Sequence, residues 1–392
     1  MTACQNVAII LICIFARDSC SSDNHYLYKE KPIEFWLNQL KNKDDDVRED
    51  AAEALANICK ELGPKAKRTV PFLISAIKDK QPGVRQEVIR ALKEIGPDAK
   101  DSVPCLMEAL TDEAACNSGH AAYALAAIGE PAIESLIRAL EDRNPVVQIG
   151  AVTAFYKMRP EAKRAAINPL SKALNNKKKE VRKNVADILG FWGPLSRPAL
   201  NALYQRLNDA ESSVQVEVAK AIWEISGQGK ELLPILIKTL KDDSIEVRQG
   251  SCWVLRRIGP DAHEAVPFLI DNLTEKDPWL RIMAALTLGD IGPKAKAAIP
   301  ILIPALQDKD VRVRKNVASS LGGFGKEAKI AINALIRAME DEDLWVRIYA
   351  IRSLAEIGQD AIMAVPALKK ALKDPNDEIK EEAATALTKI DK

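Results

Sequence analysis

Residues 278–306 read PWLRIMAALTLGDIGPKAKAAIPILIPAL, and they decide the fold. Leu280, Ala284, Leu288 and Ile291 recur at every third or fourth position, along one face of a helix with 3.6 residues per turn. That helix has to stop at Gly292, because Gly tolerates a positive φ and the following Pro293 starts a new segment. A second amphipathic segment occupies 299–306, and Pro300 is expected to bend it near its start. Neither helix has a partner for its apolar face within these residues, so the pair must stack on something like itself.

The rest of the chain supplies the copies. The pattern V-R-x-x-A-x-x-A-L-x-x-I-G begins at Val181, Val214, Val247, Leu280, Val313, Val346 and Ile379, in steps of 33 residues. Upstream it begins at Val47, Val84, Asn117 and Val147, with irregular steps of 37, 33, 30 and 34. Apolar residues fall at offsets 0, 4, 7, 8 and 11 from each start, and Gly-Pro recurs at Gly96 and Gly259. The second segment, of the form VPxLIxAL, returns at 70–77, 103–110, 266–273 and 365–372. Internal periodicity of this length is the signature of a solenoid, whose core is a strip shared by neighbouring pairs. The expected fold is all-α, a right-handed alpha-alpha superhelix of about eleven helix pairs over 32–392, counting 32–40 as the first outer helix. Glu378, Glu381 and Glu382 give the last pair the solvent-facing surface of a cap.

Composition agrees and removes several functions. The chain is 47% hydrophobic but only 5% aromatic, so it packs closely with Ala, Leu, Ile and Val. Fifty-six Lys and Arg balance 55 Asp and Glu, which gives no general attraction to nucleic acid or to an anionic membrane. The basic run Lys177, Lys178 and Lys179 reads as a solvated turn between helices. Seven Cys show no CxxC and no zinc spacing, and Cys59, Cys105, Cys116 and Cys252 fall inside helical patterns as small fillers. At the start, 7–15 reads VAIILICIF, of signal-peptide core length and too short to span a bilayer. Residues 1–16 are therefore read as an export signal and 17–31 as a polar connector, which would place the protein in the periplasm, outside the cell or at its surface. The alternative is an apolar tail on a cytoplasmic protein, since no Lys or Arg precedes the run. No later segment has transmembrane length.

The repeats resemble the HEAT repeat, in particular the short variety of the phycobilisome lyase-like group, over 32–392. The resemblance rests on the outer helix with its Pro, the Asp that follows, and the Val-Arg that opens the inner helix. It implies a ladder of polar pairs between neighbouring repeats. The members in this chain are Asp79 with Arg85, Asp242 with Arg248, Glu275 with Arg281, Asp308 with Arg314 and Asp341 with Arg347, each six residues apart. The carboxylate is also expected to cap the inner helix. The pattern lapses at Asp112/Ser118, Asp142/Gln148 and Asp209/Gln215, where weaker coupling is expected.

Catalytic chemistry is poorly represented. The chain has three His, and neither a P-loop nor GxSxG nor HExxH. HEAT-fold hydroxylases hold a di-iron centre with several His-Glu pairs, and the single such pair here is His263-Glu264. His120, with Tyr123 and Cys116, reads as ordinary packing rather than a small site. No catalytic residue, metal or cofactor is assigned. A bilin lyase using the same groove is the enzymatic alternative, by analogy of fold alone.

The informative positions are the inner-helix offsets −1, 2, 3, 6 and 10, which point away from the core. They are plainly polar early in the chain, as in Asp46, Glu49, Asp50, Glu53, Gln86, Glu87 and Arg90. Later they become aromatic, apolar and basic: Trp253 and Arg257, then Trp279, Ile282, Met283 and Leu286, then Arg312, Lys315 and Asn316, then Trp345, Ile348, Tyr349 and Arg352. The helix at 279–291 would thus be apolar on both faces, and such a helix needs two partners. Trp, Tyr and Arg dominate interface hot spots. These residues are the expected binding surface for a protein or extended peptide, centred on repeats seven to ten; the oligomeric state stays open. Trp36 and Trp192 are assigned to the core.

Overall fold

The computed structural model describes residues 27–112 and 114–391, with the side chains of 115 and 116 left aside. The expected export segment lies outside the described residues. Among them the protein is eleven helix pairs and one two-stranded turn. No helix of the described residues is long and apolar enough to cross a membrane.

The quoted stretch shows the unit. Its inner helix, Pro278–Ile291, opens on Asp277, whose side chain accepts from the Leu280 N–H at 2.7 Å. It closes on Gly292 at φ +70°, whose N–H bonds the Leu288 carbonyl. Most of these Gly caps combine positive φ with ψ near −135°, an extended mirror conformation, and only Gly227 takes the left-handed helical form expected from sequence. Either geometry favours Gly, which has no Cβ to clash. A 3-10 turn, Gly292–Ala298, then leads into the outer α-helix Ile299–Ala305. Pro300 sits in the first turn of that α-helix, where no backbone hydrogen bond is lost, so the expected bend is a change of helix type at its entrance.

The pairs gather into two compact units. One contains the described residues up to Leu136 together with Asn144–Arg159; the other contains Ile137–Arg143 and the residues from Pro160 onward. The division falls among the repeats with irregular steps. Within each unit, consecutive inner helices pack side by side and the outer helices pack on their flank. In the N-terminal unit the end of the connector is structured: Leu27–Tyr28 pairs with Lys31–Pro32, turning through Lys29 and Glu30 at positive φ. This hairpin covers the first repeat, with the Tyr28 hydroxyl accepting from Asn57 at 2.9 Å and its carbonyl accepting from the Trp36 indole at 3.3 Å.

The ladder is present, with its bonds arranged differently from the sequence expectation. Arg281 donates through Nη1 to the carbonyls of Glu275 and Lys276 in its own loop, at 2.8 and 2.9 Å. Its Nε and Nη2 hold the Asp308 carboxylate of the next repeat at 2.8 and 2.9 Å. Four of the five sequence pairs at separation six thus meet through a backbone carbonyl, the exception being Asp242 with Arg248, whose Nη1 bonds Asn272 and Glu275 instead. The ion pairs run 27 residues forward, Arg48 to Asp79 apart: Arg85 meets Asp112, Arg182 meets Asp209, Arg248 meets Glu275 and Arg314 meets Asp341. The ladder carboxylate does not cap the helix. It accepts the N–H two residues on, as Asp308 does from Asp310, and a later residue such as Asp310 or Asp343 makes the cap. The expected breaks move as well: Asp112 and Asp209 keep their arginines, while Gln215 takes the bracing role of the missing arginine by donating to the Asp209 carbonyl at 2.6 Å.

Candidate binding surface

The inner helices of the C-terminal unit carry all the residues singled out by sequence. Trp279 is 54% exposed and Trp345 44%, although each sits beside a fully buried core residue, Leu280 and Val346. Met283, Leu286, Tyr349, Trp253, Lys315 and Arg352 are half-buried, and Arg257 and Arg312 are exposed. Ile282 departs from the expectation: it is 2% exposed. Offset 2 in this helix faces the stack rather than the surface, and Ile348, at the same offset, is buried too. Trp192 lies in the core as expected, at 7% exposure, whereas Trp36 is only half-buried because it stands at the edge of the first repeat beside Tyr28 and Phe35.

Trp253, Trp279 and Tyr349 are each paired with a cation, and Trp345 with the Tyr349 ring. The Arg257 guanidinium lies 4.9 Å from the Trp253 ring centre and the Lys220 ammonium 5.5 Å from it. Arg312 stands 5.5 Å from Trp279, and Arg352 is 5.5 Å from Tyr349, which in turn is 6.2 Å from Trp345. Such contacts hold the rings in place. The two hydrogen bonds from Arg312 to Asp310 drive that carboxyl down to about 2, so the ion pair persists at any physiological pH.

An open groove of about 460 Å³ has Val216, Gly250, Trp253, Trp279 and Met283 among its lining residues. Lys183, Glu217, Lys220, Glu246 and Gln249 form its polar rim. It reaches two repeats earlier than sequence reasoning placed the surface. The missed signals were Val216 at the offset of Ile282 and Gly250 at the offset of Met283. A Cβ on Gly250 would lie 2.6 Å from Val216, so Gly there keeps that part of the groove open. The Trp345 and Tyr349 cluster lies outside this groove.

Among the described residues no group of His, Cys, Asp and Glu could hold a metal ion. His120 is half-buried with its Nδ1 enclosed and unbonded, and Tyr123 is exposed beside Lys157; the Cys116 side chain is outside the described set. Burial pushes the Cys252 thiol up to about 12 and that of Cys59 to about 11, which makes both poor nucleophiles.

Residues 33–117, 133–209, 200–281, 266–343 and 332–392 match the family described as HEAT repeats, and 119–142 match the PBS lyase HEAT-like repeat. No curated protein matches the sequence. Among solved structures, Kap121p bound to Pho4p is similar with a TM-score of 0.63 at 14% identity, over 95% of this chain and 46% of that one. Kap121p bound to Nup53p gives 0.61 at 14% over the same shares, and Kap121p itself 0.62 at 13%, over 91% and 45%. The chain spans less than half the length of these proteins, and at such identity the likeness is one of fold.

Proposed function

We propose that this chain, which belongs to the HEAT-repeat family, is a non-enzymatic scaffold that holds a protein or extended peptide against the inner helices of its seventh to tenth repeats. The observation that carries the reading is the helix Pro278–Ile291. Leu280, Ala284, Leu288 and Ile291 are fully buried on its core side, yet Trp279, Met283 and Leu286 form a second apolar stripe on the groove side. Exposed aromatic surface of this kind on a folded chain marks interaction sites. That Kap121p, of similar fold, is bound to Pho4p and to Nup53p in its solved structures is consistent with it.

The test is footprinting of a captured complex. Immobilised full-length chain is loaded from an extract of its source, and oxidative labelling is compared with and without the captured protein. Protection of Trp279, Met283, Trp345 and Tyr349 is expected, with Glu49 and Glu53 peptides unchanged. Protection confined to the N-terminal unit would overturn the assignment. The rival bilin lyase predicts a visible absorption band on the purified chain and dependence on His120 or Cys116. Export by residues 1–16 belongs to the same reading, and a full-length chain made in a bacterial host should then appear shortened outside the cytosol. Intact Met1 chains found in the cytosol alone would refute export.

A further inference from the structure

The exposed aromatics of the C-terminal unit stand at repeating positions, and the repeat distance restricts what can lie across them. Trp279, Arg312 and Trp345 occupy the same offset in three consecutive repeats. The helix Val311–Gly323 packs against Pro278–Ile291 on one side and Leu344–Ile357 on the other. A ring therefore stands on each outer helix of the three and a cation on the middle one. Met283 and Tyr349 lie one turn further along, beside their respective tryptophans; the middle helix holds Asn316 at that offset and Lys315 one residue before it, at the offset of the buried Ile282 and Ile348.

The middle helix presents positive charge. Arg312 spends Nε and Nη2 on Asp310, at 3.0 and 2.7 Å, which leaves its Nη1 without a hydrogen bond among the described residues. Lys315 is half-buried and has neither an ion pair nor a hydrogen bond there. The adjacent surface offsets of that helix hold Asn316 and Ser319, which are uncharged. The nearby acids of the last repeat, Glu378 and Glu382, are taken by Arg352, at 3.9 and 2.6 Å. Lys315 is thus a half-buried cation on the helix between the two that carry the tryptophans, with no ion pair among the described residues.

Packed helices lie about 9 to 10 Å apart, and an extended chain rises about 3.3 Å per residue, so about three residues cross each repeat. A helical ligand, rising 1.5 Å per residue, would need about thirteen residues to pass from Trp279 to Trp345. Resting on the binding surface proposed above, we infer that the bound segment is an extended acidic peptide. It carries two apolar side chains about six residues apart, one for each tryptophan, and a carboxylate midway for Lys315 and Arg312.

The test is selection of random peptides of about ten residues, long enough to cross the three helices when extended, on the immobilised full chain. Enriched sequences should show an apolar pair separated by about six residues with Asp or Glu between. Lys315→Glu should weaken the selected peptides about tenfold or more, and selection on that variant should move the midpoint residue to Lys or Arg. Lys315→Gln should give an intermediate loss, with unchanged thermal melting of both variants showing that the fold is intact. Peptides that need Trp279 and Trp345 but carry no midpoint acid, or that space their apolar pair by about thirteen, would overturn this inference while leaving the binding surface standing. Peptides that bind the Trp279→Ala/Trp345→Ala variant equally well, or an absence of enrichment, would overturn both.

Discussion

The two units share one backbone rule, and their inner faces differ most between the first two repeats and the seventh to tenth. In the first two repeats the inner-helix offsets that the core does not need carry Asp46, Glu49, Asp50, Glu53, Glu87 and Glu94, while the third and fourth, still in the N-terminal unit, already expose Tyr123, Val146 and Ile149 at such offsets. Burial, partly offset by Arg90 and reinforced by Glu53 and Glu49, pushes the Glu87 carboxyl above its usual range. In the C-terminal unit the same offsets carry Trp253, Trp279, Met283, Trp345 and Tyr349, each ring stacked with a cation or another ring. The apolar residues at the core offsets and the forward ion pairs are common to both. The difference teaches that the repeat fixes the fold through a few offsets and leaves the remaining inner-face positions free to specify what is bound.

The sharpest way to break that comparison is to remove a ladder arginine from each unit. Arg182 and Asp209 are nearly enclosed, with side-chain exposures of 10% and 2%. Arg182→Ala should cost about 3 to 5 kcal/mol, because it strands a buried carboxylate and two loop carbonyls. Arg85→Ala, in the other unit, should cost nearly as much. Arg248→Ala should cost less, about 1 kcal/mol, since Glu275 is the most exposed of the ladder acids. Denaturant melts measure all three, and equal small losses would show that the ladder is not what couples repeats.

Glycines give the next contrast. A Cβ on Gly323 would stand 2.3 Å from the backbone oxygen of Gly289, and neither side can move freely, so Gly323→Ala should cost about 1 to 3 kcal/mol. On Gly83 it would meet the Glu49 carboxylate at 2.2 Å, the far end of a flexible side chain. Gly83→Ala should be neutral, or stabilising by up to about 1 kcal/mol through helix propensity. A large loss at Gly83 would mean that the Glu49 carboxylate is fixed by more than its bond to Gln81.

Acid should act on both units through the ladder. The Arg85 guanidinium holds the Asp112 carboxyl below its ordinary value, and at Asp209 burial pushes upward but Arg182, the Glu211 N–H and Arg206 together bring the carboxyl below its ordinary value. Because these values are depressed in the folded chain, the stabilisation is complete above about pH 4, the unfolded value, and fades as pH falls through the folded ones. Tm should therefore fall steeply below about pH 4, and less steeply in Asp112→Asn, which has already lost that contribution. Glu87 shifts the other way, so Glu87→Gln should change stability at neutral pH by less than about 1 kcal/mol and in the favourable direction. A clear loss would mean that its ion pair with Arg90 outweighs the burial of its charge.

Most of the fold was legible because it depends on residues that repeat. The period of 33, the Gly stops and the core offsets lead directly to eleven pairs, and the recurring Arg and acid pointed to a ladder between neighbouring repeats. The exact bonds were not legible: whether an arginine bonds its own loop's carboxylate or its carbonyl depends on the turn, where the acid is engaged by the N–H two residues on. The exposure of the tryptophans at these offsets was legible; which of their neighbours are exposed was less so. Ile282 looked like Met283 in sequence, but one position of rotation turns it into the stack. The part of the groove at Val216 and Gly250 was missed because a Gly announces space only once its neighbour is known.

The central claim is that the rings of the C-terminal unit bind a partner and do not hold the fold. It is tested most directly by measuring thermal melting and partner capture together for Trp279→Ala/Trp345→Ala and for Trp192→Ala. The tryptophan pair should melt close to the parent chain and lose its captured protein, since truncating an exposed hot-spot ring costs about 2 kcal/mol or more in binding. Trp192→Ala should melt much earlier, by the equivalent of about 3 to 5 kcal/mol, because its ring is buried in the core. If Trp279→Ala/Trp345→Ala unfolds like Trp192→Ala, the rings are core and the binding surface lies elsewhere.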